Sequence, residues 1–275
     1  MNEKVGEPSM SLDKAGKAYW DHNWENREIP TAIDPRAKSL DNYANLKFHE
    51  CFRTAFSSVD TSHQRLLEIG CAGSAWLPYF AKEFGFEVHG IDYSELGCRQ
   101  AAQVLENEGV EGEIVCADFF SPPEPMLGDF DVVWSRGVLE HFDDTAACAS
   151  AFSKFLRPGG LMITIIPNLS GVLGLIQRII NRPVLDVHVP LARSDLKEAH
   201  RSSSLEIISC AYFLFAALNV INIENWRGTP FYRVGARLRS WITKAMWMAE
   251  RTIPLLRPNR WTSPYIICVA RKPCA

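Results

Sequence analysis

Three acidic side chains whose chemistry suits a nucleoside lie at the ends of short apolar runs in the sequence. Glu68 stands near the end of the first run, Asp92 ends the second, and Asp118 ends the third, with Phe119 beside it. A carboxylate after the second strand of a nucleotide-binding sheet can accept hydrogen bonds from both ribose hydroxyls. A carboxylate beside an aromatic ring suits a purine, because it can accept from the exocyclic amine while the ring covers the base. The pattern therefore predicts a site for a purine nucleoside.

A tight turn of small residues follows the first apolar run. Residues 70–74 read Gly-Cys-Ala-Gly-Ser, and Gly70, Ala72 and Gly73 would let the backbone approach a ligand closely. The turn lacks the G-x-G-x-x-G spacing typical of dinucleotide sites. A nicotinamide-dependent dehydrogenase is therefore the weaker alternative for this loop.

The elements that must position these residues alternate regularly between residues 65 and 167. Five runs rich in Val, Ile and Leu are typical of buried parallel strands, at residues 65–70, 87–92, 113–118, 130–135 and 161–167. Amphipathic stretches that predict helices lie between them, at residues 75–85, 95–109 and 145–160. This alternation predicts an α/β fold, with a parallel sheet covered on both faces. The acids would then meet at the edge formed by the carboxyl ends of the strands.

The alternation becomes less regular after residue 167. We expect further strands at residues 205–211 and 265–270, and a helix around residues 234–252. The intervening stretches, at about 168–204 and 224–262, are predicted to be insertions. Residues 207–223 form an uncharged run that is slightly short for a membrane span, which needs about 20 residues. We predict a buried strand followed by an apolar helix there, because a span would separate the strand at 265–270 from its sheet.

A membrane-contacting surface is the alternative left open for this region. Its candidate contacts are basic and aromatic: Arg237, Arg239, Lys244 and Arg251 beside Trp241 and Trp247.

Composition limits the classes of protein that the chain can represent. Its 275 residues are 47% hydrophobic and 22% charged, which excludes a fully disordered chain. The 29 basic and 32 acidic side chains leave a net charge of −3, so we expect no nucleic-acid partner. None of the eight cysteines forms a C-x-x-C pair, which favours reduced thiols in the cytoplasm over a disulfide framework. We expect no secretory signal, because the first residues lack an apolar core, and no metal site.

Taken together, these motifs resemble those of class I S-adenosylmethionine-dependent methyltransferases of the small-molecule type. The matching pieces are the first motif at 66–74, the ribose acid Asp92, the adenine motif at 116–119, the fourth-strand motif at 130–142 and the turn at 155–160. The resemblance covers roughly residues 62–168. It implies a Rossmann-like, doubly wound, mostly parallel sheet of seven strands, with helices on both faces and a helical lid.

The resemblance also implies a domain organisation. Residues 1–60 would form an N-terminal helical lid. Residues 61–275 would form the methyltransferase domain, with the two insertions, at about 168–204 and 224–262, as a cap over the acceptor.

The implied cofactor is S-adenosylmethionine. The residues expected to contact it are Tyr19, Trp20, Glu68, Gly70, Ala72, Gly73, Asp92, Tyr93, Asp118, Phe119 and Ser135. Residues 18–24 resemble a segment that often closes over the cofactor, where Tyr19 and Trp20 could shield the sulfonium. One departure concerns the first loop, which commonly carries three alternating glycines in this family. Ala72 and Ser74 stand at the second and third of these positions, and both are small.

Methyl transfer from a sulfonium is an in-line displacement, which requires a nucleophile about 3 Å from the methyl group. A hydroxyl acceptor also benefits from a general base, for which histidine is suited. His141, just after the fourth strand, and His188, in the first insertion, are the candidate catalytic residues. Their alternative role is to fix neighbouring loops through hydrogen bonds.

The insertions suggest what the acceptor is. They are rich in aromatic residues, namely Trp226, Phe231, Tyr232, Trp241, Trp247 and Trp261. Such a cap suits a small hydrophobic metabolite enclosed away from water, although these rings can also simply pack onto the core. We expect O-methylation of such a metabolite, for example in secondary metabolism. The alternatives are C- or N-methylation of an isoprenoid, quinone or lipid at a membrane surface, and a non-catalytic cofactor-binding partner subunit. A homodimer is left open.

Overall fold

A computed structural model describes residues 13–25, 27–57 and 59–274. Its centre is one sheet of seven strands: β1 (Arg65–Ile69), β2 (Glu87–Asp92), β3 (Gly112–Cys116), β4 (Phe130–Arg136), β5 (Leu156–Pro167), β6 (Glu206–Phe213) and β7 (Tyr265–Arg271). The strand order is β3-β2-β1-β4-β5-β7-β6. Strands β1 to β5 are parallel, and β7 runs antiparallel to both of its neighbours. The predicted doubly wound, mostly parallel sheet is confirmed.

Nine helices accompany the sheet in the described residues. They are α1 (Gly16–Glu25), α2 (Tyr43–Ala55), α3 (Leu77–Phe84), α4 (Glu95–Asn107), α5 (Thr145–Phe155), α6 (Val172–Ile180), α7 (Arg182–Asp186), α8 (Arg193–Ser202) and α9 (Pro230–Thr252). Ser94 caps the start of α4 by accepting a hydrogen bond from the amide of Gly97. Helix α5 ends earlier than its glycines suggested, because the chain is already extended at Leu156, before Pro158.

The sheet has an apolar core on each face, because successive strand residues point to opposite sides. Leu66 of β1 packs in the core formed with α2 and α3, while its neighbour Leu67 packs in the core formed with α5 and α8. This two-sided burial explains why the strands are near-continuous apolar runs rather than alternating ones.

The segment proposed as an N-terminal lid contains two different parts. Phe48 and Phe52 of α2 are almost completely buried in the first core, so α2 is a structural helix of the sheet domain. Helix α1 has no buried residue. We therefore keep the lid as a proposal for α1 alone, and residues 1–12 lie outside the described part of the chain.

The first insertion is shorter than expected. Leu196 and Ala199 of α8 are buried in the second core, where they lie with Phe152 of α5. Helix α8 therefore covers the sheet as α5 does. We accordingly restrict the first insertion, predicted at about 168–204, to residues 168–192.

Residues 214–223 do not form the apolar helix that we predicted after the strand. Their backbone is held by side chains of other elements: the amides of Phe215, Leu218 and Asn222 donate to Glu250, Thr243 and Gln177, respectively. These bonds satisfy partly buried amides in an irregular conformation, so a helix is not needed to pair them. Among the described residues, no helix combines the length and the hydropathy that a membrane crossing requires.

Candidate functional site

A cavity of about 700 Å³ opens at the carboxyl ends of the central strands, beneath α1. The predicted cofactor contacts that line it are Trp20, Glu68, Gly70, Ala72, Gly73, Asp92, Tyr93 and Phe119. Both candidate catalytic histidines, His141 and His188, line it as well. Residues from four strand ends, α1 and the first insertion thus meet at one place.

Three predicted contacts do not reach the cavity wall. Asp118 is exposed, and its carboxylate accepts a hydrogen bond from the amide of Phe120 in its own turn. Ser135 is buried within β4, and Tyr19 packs edge-on against Trp20 with its ring centre 5.2 Å away. Phe119 is therefore the part of the predicted adenine motif that faces the cavity.

The first loop has the geometry of a ligand cradle. Gly70 adopts φ 77°, and a side chain there would collide with Val138. Ser74, at the position of the family's third glycine, donates to Glu68 Oε2 at 2.5 Å and accepts from the amide of Trp76 at 3.0 Å. The serine therefore fixes the loop between β1 and α3 while leaving the backbone of Gly73 on the cavity wall.

Asp92 anchors the same loop from the neighbouring strand. Its carboxylate accepts hydrogen bonds from the amides of Ala72 (3.2 Å) and Ser94 (2.8 Å) and lines the cavity. Burial raises the pKa of Asp92 to about 6, although these amides oppose the shift. The carboxylate is thus held in place at the point where the sequence predicts a ribose.

Glu68 lies deeper, at the base of the cavity. Burial raises its pKa to about 7, and the hydrogen bond from Ser74 only partly offsets this effect. The folded protein therefore holds a proton on Glu68 at pH values where the unfolded chain has lost it.

We expect wild-type protein to lose stability relative to Glu68→Gln as the pH rises from about 4.5 to 7. Unfolded Glu68 ionises in the lower part of this range and folded Glu68 in the upper part, so the unfolded state binds fewer protons and stability falls with pH. The free energy of unfolding of wild type, relative to Glu68→Gln, should fall by roughly 3 kcal/mol over this range. Denaturant unfolding of both proteins across the range measures it, with Glu87→Gln, at an exposed position of β2, as the control. Parallel stability profiles for wild type and Glu68→Gln would contradict the burial argument.

Helix α1 forms the roof of the cavity. Trp20 meets the ring of His141 edge-on with centres 5.0 Å apart, and Trp24 lines the cavity beside it. Three hydrogen bonds hold this part of the chain in place: Tyr93 to Asp13 (2.8 Å), Ser94 to Asp21 (2.6 Å) and Gln100 to the carbonyl of Trp24 (3.0 Å). Two aromatic faces are thereby positioned over the strand ends.

A cluster of three titratable residues lines the cavity next to Trp20: Glu140 and His141, in the turn after β4, and His188, after α7. The two imidazole rings lie 4.3 Å apart. Burial lowers the pKa of both histidines, that of His141 to about 3, so both rings are neutral near pH 7. Burial raises the pKa of Glu140 to about 8. Our sequence reasoning missed Glu140, although it directly precedes a predicted catalytic residue.

Arg136 is a further cavity residue, at the end of β4. Its guanidinium lies 5.4–5.8 Å from the ring centres of Phe48, Trp76 and Tyr265 and donates to the hydroxyl of Tyr265. Aromatic faces therefore hold a fixed positive charge at the cavity wall.

The predicted aromatic cap from the second insertion is not at this cavity. None of its six aromatic residues lines the wall. Trp247 packs against Tyr43 of α2, while Phe231 and Trp241 are mostly exposed. The apolar wall comes instead from Ile33, Ile165, Val220 and Tyr265, together with Trp76. Length and aromatic content did not reveal which face of the insertion points inward.

Comparisons with known proteins agree with this geometry. A family profile described as a methyltransferase domain matches residues 67–164. A ubiquinone biosynthesis O-methyltransferase from Caulobacter sp. (strain K31) is 36% identical over 166 residues, covering 57% of this chain and 64% of that protein. A protein of the same name from Thiobacillus denitrificans is 29% identical over 144 residues, covering 52% of this chain and 54% of that protein. The chain thus spans between half and two thirds of the length of these relatives.

Solved structures show the same fold at low identity. Geranyl diphosphate C-methyltransferase from Streptomyces coelicolor A3(2) has a TM-score of 0.55 at 14% identity, covering 92% of this chain and 96% of that chain. The [4+2]-cyclase SpnF has a TM-score of 0.59 at 18% identity, covering 99% of this chain and 100% of that chain. A methyltransferase and a cyclase share the architecture, so the fold alone does not fix the reaction. The family profile therefore identifies a methyltransferase domain within residues 67–164, and the motifs and the sheet topology are similar to those of class I S-adenosylmethionine-dependent methyltransferases.

Proposed function

We propose that the protein transfers a methyl group from S-adenosylmethionine to an oxygen atom of a small, hydrophobic metabolite. The observation that carries this proposal is a single cavity that joins a nucleoside-binding edge to an apolar wall beside two neutral histidines. Its volume, about 700 Å³, falls within the range of small-molecule sites. The relatives named for ubiquinone biosynthesis O-methylation support an oxygen acceptor of apolar character.

The residues at the nucleoside-binding edge fit the cofactor. Asp92 presents a fixed carboxylate for the ribose hydroxyls, and the Gly70 turn leaves space that a side chain would fill. Phe119 offers an apolar face for adenine, and Trp20 and Trp24 offer aromatic faces for the sulfonium. The cofactor supplies a methyl group on a sulfonium whose leaving group is a neutral thioether. The chain contributes orientation and exclusion of water, which suffice to accelerate a displacement of this kind.

His141 and His188 are our candidates for accepting the proton of the acceptor hydroxyl. We expect His141→Asn and His188→Asn each to lower turnover about 100-fold, the loss typical of a removed proton acceptor. Asparagine keeps the N–H donor that each ring directs at the backbone, so the fold should persist. Transfer of a radiolabelled methyl group to a panel of phenols and catechols measures turnover. Calorimetry with S-adenosylhomocysteine should show nearly unchanged affinity in both variants.

The matched control for these two variants is His63→Asn, an exposed position at φ 62°, which asparagine tolerates. If both cavity variants turn over at the wild-type rate, neither histidine accepts the proton in the reaction. S-adenosylhomocysteine binding without transfer to any acceptor would favour a non-catalytic partner subunit. Binding of reduced nicotinamide instead would favour a dehydrogenase.

A second candidate, methylation at a membrane surface, is favoured by the outer face of α9. Its exposed apolar side chains are spaced three, four or seven residues apart and therefore lie on one face: Phe231, Val234, Leu238, Trp241 and Met248. Trp241 is 76% exposed and Phe231 73%. Helix α6, which packs on the same small apolar cluster as the start of α9, adds exposed Leu175 and Ile179. An apolar surface of this extent is typical of an interaction site.

Charge favours an anionic lipid surface over a second copy of the chain. Residues 227–260 contain a single acid, Glu250, and eight basic residues, namely Arg227, Arg233, Arg237, Arg239, Lys244, Arg251, Arg257 and Arg260. Two copies that met through α9 would bring these positive charges together, which is unfavourable. Arg227 and Lys244 are paired with Glu224 and Asp41, and each of the other basic residues that faces an anionic membrane contributes about 1 kcal/mol to binding. We therefore propose that α9 lies on the membrane with Trp241 in the headgroup region.

We expect the protein to sediment with vesicles that contain phosphatidylserine, and to do so less as salt concentration rises. The double substitution Leu238→Ser/Trp241→Ser should weaken vesicle binding at least about tenfold, because it removes two apolar contacts with the lipid. Leu127→Ser changes an equally apolar exposed residue far from α9 and should have no effect. Vesicle binding that changes neither with the lipid charge nor with the double substitution would contradict this candidate. A dimer that the double variant dissociates would assign the face to a second copy.

A further inference from the structure

We propose that Glu140, His141 and His188 form a binding site for a divalent transition-metal ion. One ligating atom of each residue lies within 4.8 Å of those of the other two. The three residues come from two separate segments, the turn after β4 and the loop after α7, and all three line the cavity. The ion would therefore lie on the wall of the proposed acceptor site.

The hydrogen bonds of the two rings prepare them as metal ligands. Nδ1 of His141 donates to the carbonyl of Val187 at 2.7 Å, and Nδ1 of His188 donates to the carbonyl of Val184 at 2.5 Å. A neutral ring that donates from Nδ1 carries a lone pair on Nε2. Metal-ligating histidines in proteins usually have this arrangement, in which a backbone carbonyl fixes the tautomer and orientation.

Glu140 supplies an independent observation that points to a cation. Its side chain is 2% exposed, and in the described part of the chain neither carboxylate oxygen has a hydrogen-bond partner. Arg136, at the end of β4, forms no ion pair with Glu140 in this part of the chain. A buried carboxyl group without a partner is costly, and it is rare in folded proteins. A metal ion between the carboxylate and the two imidazoles would satisfy it.

The ligand types define the class of ion. Two imidazoles and one carboxylate suit Zn²⁺, Fe²⁺, Co²⁺ or Mn²⁺, whereas Mg²⁺ and Ca²⁺ prefer oxygen ligands alone. Three protein ligands leave further coordination positions open, and these would face the cavity. Binding of the ion does not depend on the proposed function, but its role rests on it: the ion would bind the acceptor hydroxyl and lower its pKa. The histidines would then act as ligands rather than as a lone general base.

Cobalt binding tests the site directly. Purified full-length protein is titrated with Co²⁺ in a Cys116→Ser/Cys274→Ser background, which removes the two exposed thiols as competing ligands. We expect one equivalent of Co²⁺ to bind with visible absorption bands but without thiolate charge-transfer bands, and Zn²⁺ to displace it. Glu140→Gln and His188→Asn should each weaken binding at least about 100-fold, the upper end of the loss seen when only a supporting residue is removed. His63→Asn, the matched control, should bind Co²⁺ as the background protein does.

Failure of this inference is distinguishable from failure of the proposed function. Calorimetry with S-adenosylhomocysteine is run on the same samples, and near-ultraviolet circular dichroism shows whether each variant is folded. If S-adenosylhomocysteine binds but Co²⁺ does not, the metal site is overturned and the methyltransferase proposal stands. Cobalt binding that persists in both Glu140→Gln and His188→Asn would also overturn it. One equivalent of Co²⁺ that binds only when the cluster is intact would support it even without methyl transfer.

Discussion

Replacing Asp92 with alanine is expected to weaken S-adenosylhomocysteine binding about 10- to 150-fold. The change removes a charge-assisted acceptor for the ribose hydroxyls, and hydrogen bonds to charged groups contribute about 1.5–3 kcal/mol each. It also removes the acceptor for the amides of Ala72 and Ser94, so the loop beside the nucleoside loses a fixed point. Isothermal titration calorimetry at neutral pH measures the dissociation constant.

Two further variants locate this effect. Asp92→Asn keeps an acceptor oxygen but removes the charge, and we expect an intermediate affinity. Asp60→Ala changes an exposed acid that accepts a hydrogen bond from the amide of Ser62 and does not line the cavity, so the affinity of this variant should equal that of wild type. An unchanged dissociation constant in Asp92→Ala would mean that the nucleoside does not bind at this edge of the sheet.

Replacing Phe52 with alanine is expected to lower the free energy of unfolding by about 3–5 kcal/mol. The side chain is 0% exposed, and its ring lies 5.0–5.7 Å from those of Trp76, Phe80 and Trp134. The loss is large compared with the total stability of a domain, about 5–15 kcal/mol. This loss of stability also shows whether α2 is structural, because the same substitution in a loosely attached lid would leave global stability almost unchanged.

Denaturant unfolding followed by tryptophan fluorescence and circular dichroism measures this loss. The matched control is Phe231→Ala, which makes the same chemical change on the exposed face of α9 and should alter stability by less than about 0.5 kcal/mol. Equal midpoints for Phe52→Ala and wild type would show that α2 contributes little to the folded domain.

The sequence predicted the sheet well because buried parallel strands leave a local signal. Val, Ile and Leu runs at β1, β2 and β4 are bounded by glycine and acidic residues, so both the strands and the edge that carries Asp92 follow from local pattern. The position of β7 between β5 and β6 has no local signal in the sequence. It depends on how the chain after β6 packs back onto the sheet.

The parts that the sequence did not predict depend on contacts between distant residues. His188 reaches His141 only because residues 187–189 pair with the turn after β4, through Val189 to the carbonyl of Glu140. The conformation of residues 214–223 depends on side chains from α6 and α9, such as Gln177 and Thr243, rather than on its own propensity. Asp118 resembles a binding residue in the sequence, but its carboxylate serves its own turn.

Helix α1 covers the cavity although little of its own surface is buried. It has no buried residue, and the hydrogen bonds of Asp21 and Trp24 are among its few ties to α4. Segments with so few buried contacts detach at a small fraction of the free energy of global unfolding. We therefore expect the rate of nucleoside exchange to depend on how often this ten-residue helix detaches from the cavity. Substitutions that remove the hydrogen bonds of Asp21 or Gln100 should speed that exchange and leave the free energy of global unfolding almost unchanged.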